Sequence, residues 1–451
     1  MKNAVRVTRG VFLRLIIRTN VCAAINNQAT LILYHCQYSS YMQHQQKSNS
    51  RRHFLQSLTG LGGATLAGSL LPYSLQASPL LTPADPSAGH IFTAMPYLQH
   101  PAPGSMVVMC ITNLPAYSWV EYGETNALGQ KAHSVTNGLV DAYNRVNRIK
   151  LSDLKPGTKY YYRVVSKEIT GFEPYKLTYG GTLESELYSF TTPMDKQDSM
   201  RCLVLNDIHD RPQSIQHLVK MNGNDPYDFV FFNGDIFDYQ TNEQQIVDHM
   251  LQPCISSFAS EKPFMYVRGN HETRGKYSRD LHHYFTNPQG SQYYTFTWGP
   301  VHFTVLDTGE DKTDDTPVYA GIVDFDAYRK QQQLWLEEVM QSKAYKKAKF
   351  KVVLMHIPPF YSGDWHGTMH CRELFNPVFN KYRVDMVISG HTHKYGVHPP
   401  VKEQHHYPII IGGGPGDGQR TLIRLNADAG NLRLTMLDDS GKEVGSYLVS
   451  K

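Results

Sequence analysis

Four short polar runs, each placed directly after a short apolar one, constrain the fold of this chain more than any other feature. They read Asp207-Ile-His209, Gly234-Asp235-Ile-Phe-Asp238, Gly269-Asn270-His271-Glu272 and Gly390-His391-Thr-His393. The preceding runs are Leu203-Val-Leu, Phe229-Val-Phe-Phe, Phe264-Met-Tyr-Val and Met386-Val-Ile, and Lys351-Val-Val-Leu-Met leads in the same way to a lone His356. Apolar runs this short, bounded by Gly, Pro and Asp, are expected to be strands buried on both faces. Each strand then delivers a carboxylate, amide or imidazole at its C-terminal end, where ligands collect in layered α/β sheets. Oxygen from Asp and Asn with nitrogen from His suits borderline metal ions. A lone histidine is more often a packed core residue; His356 is set apart by its place behind a strand.

The order and spacing of these runs, across roughly 190 residues, resemble the calcineurin-like metallophosphoesterase superfamily. Its pattern is Asp-x-His, Gly-Asp-x-x-Asp, Gly-Asn-His-Glu/Asp, His, Gly-His-x-His. The resemblance implies a four-layer α-β-β-α domain over 200–451, with two metal ions at one edge of two sheets. Carried over by position, one ion takes Asp207, His209, Asp235 and His393. The other takes Asp235, Asn270, His356 and His391, with Asp235 bridging. Iron, manganese and zinc are the implied occupants, the pair undetermined. The implied reaction is hydrolysis of phosphomonoesters by metal-bound hydroxide, without a phosphoenzyme, on a phosphorylated small molecule.

The same resemblance makes His271 a phosphate contact and candidate general acid, and His366, in Gly363-Asp-Trp-His366, resembles a second substrate-contacting histidine of purple acid phosphatases and is a candidate catalytic residue. Arg274 is a candidate phosphate ligand; the plainer reading pairs it with an acidic neighbour. Asp238 and Glu272 are expected to orient ligands rather than bind metal. Gly412-Gly-Gly-Pro-Gly-Asp-Gly lacks the Gly-Lys-Ser/Thr ending of a P-loop, and is expected to give a tight turn near the site.

Ahead of this domain, residues 96–195 read as short strands with turns between them. The expected strands are Ser105 to Thr112, Ser118 to Tyr122, Arg145 to Leu151 and Lys159 to Val165, with Tyr160, Tyr162 and Val164 on one face. Leu154-Lys-Pro-Gly-Thr-Lys-Tyr-Tyr-Tyr-Arg-Val and Tyr188-Ser-Phe-Thr-Thr-Pro193 resemble a fibronectin type III sandwich, in particular the N-terminal domain of purple acid phosphatases. Its role is either packing alone or supplying a loop that overhangs the site. Purple acid phosphatases carry Gly-Asp-x-x-Tyr and lack the histidine of Asp-x-His. Here Asp238 holds the tyrosine's position and Tyr239 is one residue late.

The formal charge of +4 misleads about partners. Residues 1–77 hold eight of the 44 Lys and Arg and none of the 40 Asp and Glu, so the remainder is acidic, 36 against 40. Global charge implies no nucleic-acid partner. In the leader, Arg51-Arg52-His53-Phe54-Leu55 precedes an apolar, Gly- and Ala-rich run and a small-residue exit at Ala77, which resembles the bacterial twin-arginine export signal. The expected destination is periplasmic or extracellular; a Sec signal or a membrane anchor is the alternative. Residues 1–41 fit no such signal, so the start is placed at Met42, an extended leader being the other option. Residues 78–95 read as a linker. No transmembrane segment is expected in the mature chain, and oligomeric state is undefined. Of six cysteines, Cys110, Cys202, Cys254 and Cys371 survive processing, with a single disulfide left open.

Two rival functions remain. A phosphodiesterase or nucleotidase would use the same scaffold. A non-catalytic binding or adhesion protein would have a decayed site, which the intact ligand set argues against.

Overall fold

The computed structural model describes residues 89–451. The leader over 1–77, its Met42 start and most of the 78–95 linker lie outside those residues. Among the described residues no helix is long and apolar enough to cross a membrane.

The first domain is a β-sandwich. Its strands are β1 (Phe92–Ala102), β2 (Ser105–Gly123), β3 (Gln130–Ala132), β4 (Val135–Thr136), β5 (Leu139–Val140), β6 (Asn144–Leu151), β7 (Lys159–Glu173), β8 (Lys176–Glu184) and β9 (Tyr188–Thr191). β1 starts inside the stretch expected to be linker. The two strands expected over 105–112 and 118–122 are one. The first half of β2 pairs with β1 and β6 and the second with β3 and β7, with an irregularity between Ile111 and Ala116. Pro115 has no N–H to donate and sits at that irregularity, where a ladder tolerates it. Tyr160, Tyr162 and Val164 share the domain core with Leu98, Met106, Val108 and Cys110.

The second domain has two six-stranded sheets face to face. Sheet one runs β12 (Phe264–Val267), β11 (Phe229–Asn233), β10 (Met200–Leu205), β19 (Thr421–Ala427), β20 (Asn431–Asp438), β21 (Glu443–Ser450). Sheet two runs β13 (Tyr294–Trp298), β14 (Val301–Leu306), β15 (Phe350–Met355), β16 (Met386–Ser389), β18 (Ile409–Ile411), β17 (Gly396–His398). Period-two alternation sorts each strand between two cores. Cys202, Val204, Phe229 and Phe231 face the other sheet. Leu203, Leu205, Val230 and Phe232 face helix α1 (Pro212–Met221) and the helical run 243–259, α2. Helices α3 (Phe325–Gln341), α4 (Lys343–Lys347) and α5 (His366–Lys381) cover the outer face of sheet two. The result is four layers, α-β-β-α. In α2, π turns at Val247–Leu251 and Ile255–Ala259 flank Pro253, whose ring clashes with the carbonyl of an ordinary α turn.

The first domain docks on α2 and on the segment that follows β12. Tyr97 Oη donates to the Tyr284 carbonyl (2.9 Å), Tyr162 Oη to that of Ser260 (2.7 Å), and Ser260 Oγ to that of Pro96 (2.7 Å). Arg145 forms an ion pair with Glu243, both nearly buried, and Tyr284 Oη also donates to Glu243 (2.8 Å). All four described cysteines are buried and free.

Candidate metal centre

β10, β11 and β12 are parallel, as are β14, β15, β16 and β18. The loops after these strands therefore open on the same edge. Asp207 follows β10, Asp235 follows β11, Asn270 follows β12, His356 follows β15 and His391 follows β16. Five of the side chains on these loops have left-handed backbones: Asp207 (φ 52°), His209 (50°), Asp235 (54°), His391 (75°) and His393 (57°). Outside glycine this conformation costs roughly 1–2 kcal/mol per residue, and it collects at functional sites.

Tight packing holds those backbones. Gly234 has φ 85°, and a Cβ there would stand 2.6 Å from His356 Nδ1 and 2.7 Å from Gly269 Cα. Glu272, fully buried, accepts four backbone N–H groups: Asp235 (2.8 Å), Ile236 (2.6 Å), Phe237 (3.1 Å) and Gly269 (2.6 Å). One carboxylate thus ties the loop after β11 to the loop after β12. The glycine run after β18 presses its backbone on the centre, and a Cβ on Gly414 would meet His393 Cβ at 2.5 Å.

The donor atoms gather in two groups that meet at Asp235. In the first, His209 Nε2 and His393 Nε2 are 3.0 Å apart, and Asp207 Oδ1 lies 3.8 and 3.4 Å from them. In the second, His356 Nε2 is 2.9 Å from Asp235 Oδ2, and His391 Nδ1 is 3.0 Å from Asn270 Oδ1. His209 Nε2 is 3.7 Å from the same Asp235 Oδ2. Atoms bound 2.0–2.2 Å from one ion lie about 3–3.5 Å from each other, so these spacings fit. The far ring nitrogens are spoken for: His209 Nδ1 bonds Asp238 Oδ1 (2.7 Å), and His356 Nδ1 bonds the Asn233 carbonyl (2.9 Å). Both contacts turn Nε2 toward the centre. His356 Nε2 is fully buried without a hydrogen bond. A buried orphan nitrogen beside a carboxylate fits a cation between them.

The charges say the same. Burial works against ionisation throughout. Even so, Asp207, Asp235 and Asp238 push His209 up to about 9, and Asp235 and Asp207 push His356 up to about 10. Burial and His356 together push His391 down to about 4. Asp207, facing the His209 and His393 rings, is held well below the usual carboxylate range. Two imidazoles driven to take protons mark a carboxylate pair that demands positive charge.

The remaining expected residues divide. His271 borders the centre: its N–H donates to Asp235 Oδ1 (2.9 Å), its Nδ1 bonds the Asp238 carbonyl (2.9 Å), and its Nε2 lies 2.9 Å from Arg274 Nη1. Arg274 pairs with buried Glu310 through Nε (2.9 Å) and Nη2 (3.0 Å), so the plainer reading and the functional one describe one side chain. His366, expected to face substrate, does not join this group; its Nε2 bonds Asp326 on α3 (2.7 Å). Tyr239 is exposed and outside the donor set. Sequence reading missed Glu310, although Leu306-Asp-Thr-Gly-Glu310 follows β14 as the other polar runs follow their strands. It also missed Asn206, whose Nδ2 bridges Asp207 to the Gly413 carbonyl. No residue of the first domain belongs to these donor groups.

Comparison with known proteins agrees with this arrangement. Residues 200–395 match the calcineurin-like phosphoesterase family, and residues 95–192 match the purple acid phosphatase N-terminal domain. The chain is 25% identical over 366 residues to probable purple acid phosphatase 20 of Arabidopsis thaliana, covering 73% of this chain and 75% of that protein. It is 26% identical over 369 residues to acid phosphatase type 7 of Mus musculus, covering 74% and 76%. Among solved structures, purple acid phosphatase PPD1 of yellow lupin (Lupinus luteus) superposes with a TM-score of 0.61 at 18% identity, over 79% of this chain and 74% of that one. Strand order, the convergence of motifs at one sheet edge and these matches lead to one assignment: the chain carries a calcineurin-like metallophosphoesterase domain preceded by a purple acid phosphatase N-terminal domain.

Proposed function

We propose that the chain hydrolyses phosphomonoesters at a two-metal centre, with Asp207, His209, Asp235 and His393 around one ion and Asp235, Asn270, His356 and His391 around the other. The observation that carries this reading is Asp235 Oδ2, which lies 2.9 Å from His356 Nε2 and 3.7 Å from His209 Nε2, one carboxylate between two donor groups. When bound, the ions supply Lewis acidity toward the phosphoryl oxygens and an acidified water.

The side chains around them orient and hold protons. Asp238 and the Asn233 carbonyl keep His209 and His356 in the tautomer that offers Nε2. Arg274, fixed by the buried Glu310, presents a guanidinium at the rim for a phosphate oxygen. His271 keeps its proton on Nδ1 against the Asp238 carbonyl, so its Nε2 is the atom available to a substrate. As an acid, His271 acts only when Nε2 is protonated and Arg274 has left it for the phosphate. The arriving dianion favours both changes.

His271→Ala is then expected to slow alkyl phosphates more than aryl phosphates, because only poor leaving groups need the proton. Equal slowing would reduce His271 to a binding group. Faster turnover of a diester than of the monoester with the same leaving group would favour the phosphodiesterase reading instead. The acid-free leader with Arg51-Arg52 supports export of the folded enzyme to the periplasm or beyond.

A further inference from the structure

We propose a third divalent-cation site, sharing no ligand with the catalytic centre, formed by Asp326, His366 and His370. His366 and His370 are four residues apart on α5 and so share a face, while Asp326 stands in the first turn of α3. His366 Nε2 lies 2.7 Å and His370 Nδ1 3.0 Å from Asp326 Oδ1, and the three ligand atoms all fall within 4.8 Å of one another. Two imidazoles and a carboxylate suit zinc and its neighbours.

The independent observation is His370. It is 8% exposed, and its Nδ1 is buried with no hydrogen-bond partner although aimed at Asp326. A buried orphan of this kind is costly. An ion between ring and carboxylate removes the cost.

One cation already adjoins the site. Arg329 Nη1 is 3.0 Å from Asp326 Oδ1, while its Nε and Nη2 go to the carbonyls of Thr308 and Glu310. Asp326 Oδ2 accepts no hydrogen bond among the described residues. The ion would take a carboxylate oxygen of Asp326 and replace the proton that now joins His366 to Oδ1. His366 and Asp326 are about a third exposed, which admits the ion and leaves room for water to complete its shell. An ion here would pin the first turn of α5 to α3. Gly367 N donates to the Asp311 carbonyl (2.8 Å), so the same lock borders the loop that carries Glu310 and, through it, Arg274.

The test is a count of ions by difference. The full mature chain is stripped with chelator, reloaded with Zn(II) and assayed by metal analysis. His366→Ala and His370→Ala should each bind one ion fewer than the wild type, whatever number the catalytic centre holds. Zn(II) should also raise the Tm of Asp235→Asn, but not of Asp235→Asn combined with His366→Ala. Equal ion counts in the wild type and in His366→Ala, a partly exposed position that folding tolerates, would overturn the site. The difference count stands even if the catalytic centre holds one ion or none.

Discussion

Asp238 shows how one side chain separates this enzyme from the family its first domain resembles. At the position where purple acid phosphatases carry a tyrosine ligand, Asp238 instead bonds His209 Nδ1 at 2.7 Å and turns that imidazole toward the centre. A neutral nitrogen in place of tyrosinate favours a divalent ion such as manganese, iron(II) or zinc over iron(III). Tyr239, one residue on, is 56% exposed and bonds α2 only through its carbonyl, to Gln245 Nε2. The loaded protein is expected to be colourless or faintly yellow, and Tyr239→Phe to keep its activity. A purple preparation that bleaches in that variant would make Tyr239 a ligand. Among single residues, the donors were legible because each sits directly behind an apolar run. Arg274's partner was not, since Glu310 is 36 residues away and only the parallel order of β12 and β14 on their two sheets brings their loops together. The Asp326, His366 and His370 cluster was equally hidden, because its members come from two helices whose packing no motif records.

Between elements, the docking of the sandwich on α2 turns on the buried pair of Arg145 and Glu243. Arg145→Ala strands a buried carboxylate with only Tyr284 Oη to serve it, and should cost about 3 kcal/mol in denaturant unfolding. Adding Glu243→Gln should restore a large part of that loss, the signature of a coupled pair. Full additivity of the two would mean that the pair contributes nothing to docking. The sequence supports the strands of this domain unevenly. Period-two runs such as Tyr160, Tyr162 and Val164 announce themselves. β2 does not, because Asn113-Leu-Pro115 looks like a break. The chain instead continues past Pro115 with a register irregularity, and its partners change there. Phe92–Ala102 was hidden in part by the Pro-, Ser- and Ala-rich stretch before it, and part of its burial comes from the catalytic domain: Ala94 and Tyr97 belong to the core shared with α1 and α2, while Leu98 joins the first domain's own core. The domain's contacts described above are structural, with α2 and the segment after β12.

For the molecule as a whole, the layer order follows from strands buried on both faces, which need helices outside and a second sheet inside. Export rests on a different part of the chain. On the twin-arginine reading of the leader, Lys at both Arg51 and Arg52 should block export, and the exported protein should begin near Ser78. Normal export from cells lacking the twin-arginine translocase would rule that route out. The sharing of one carboxylate by two ions is the claim on which the rest depends, and metal content tests it most directly. Wild type and Asp235→Asn should be loaded side by side and their ions counted per chain. The variant should lose the two ions of the catalytic centre, with kcat on a monoester falling about a thousandfold or more. Two ions retained there with near-normal turnover would contradict the bridge.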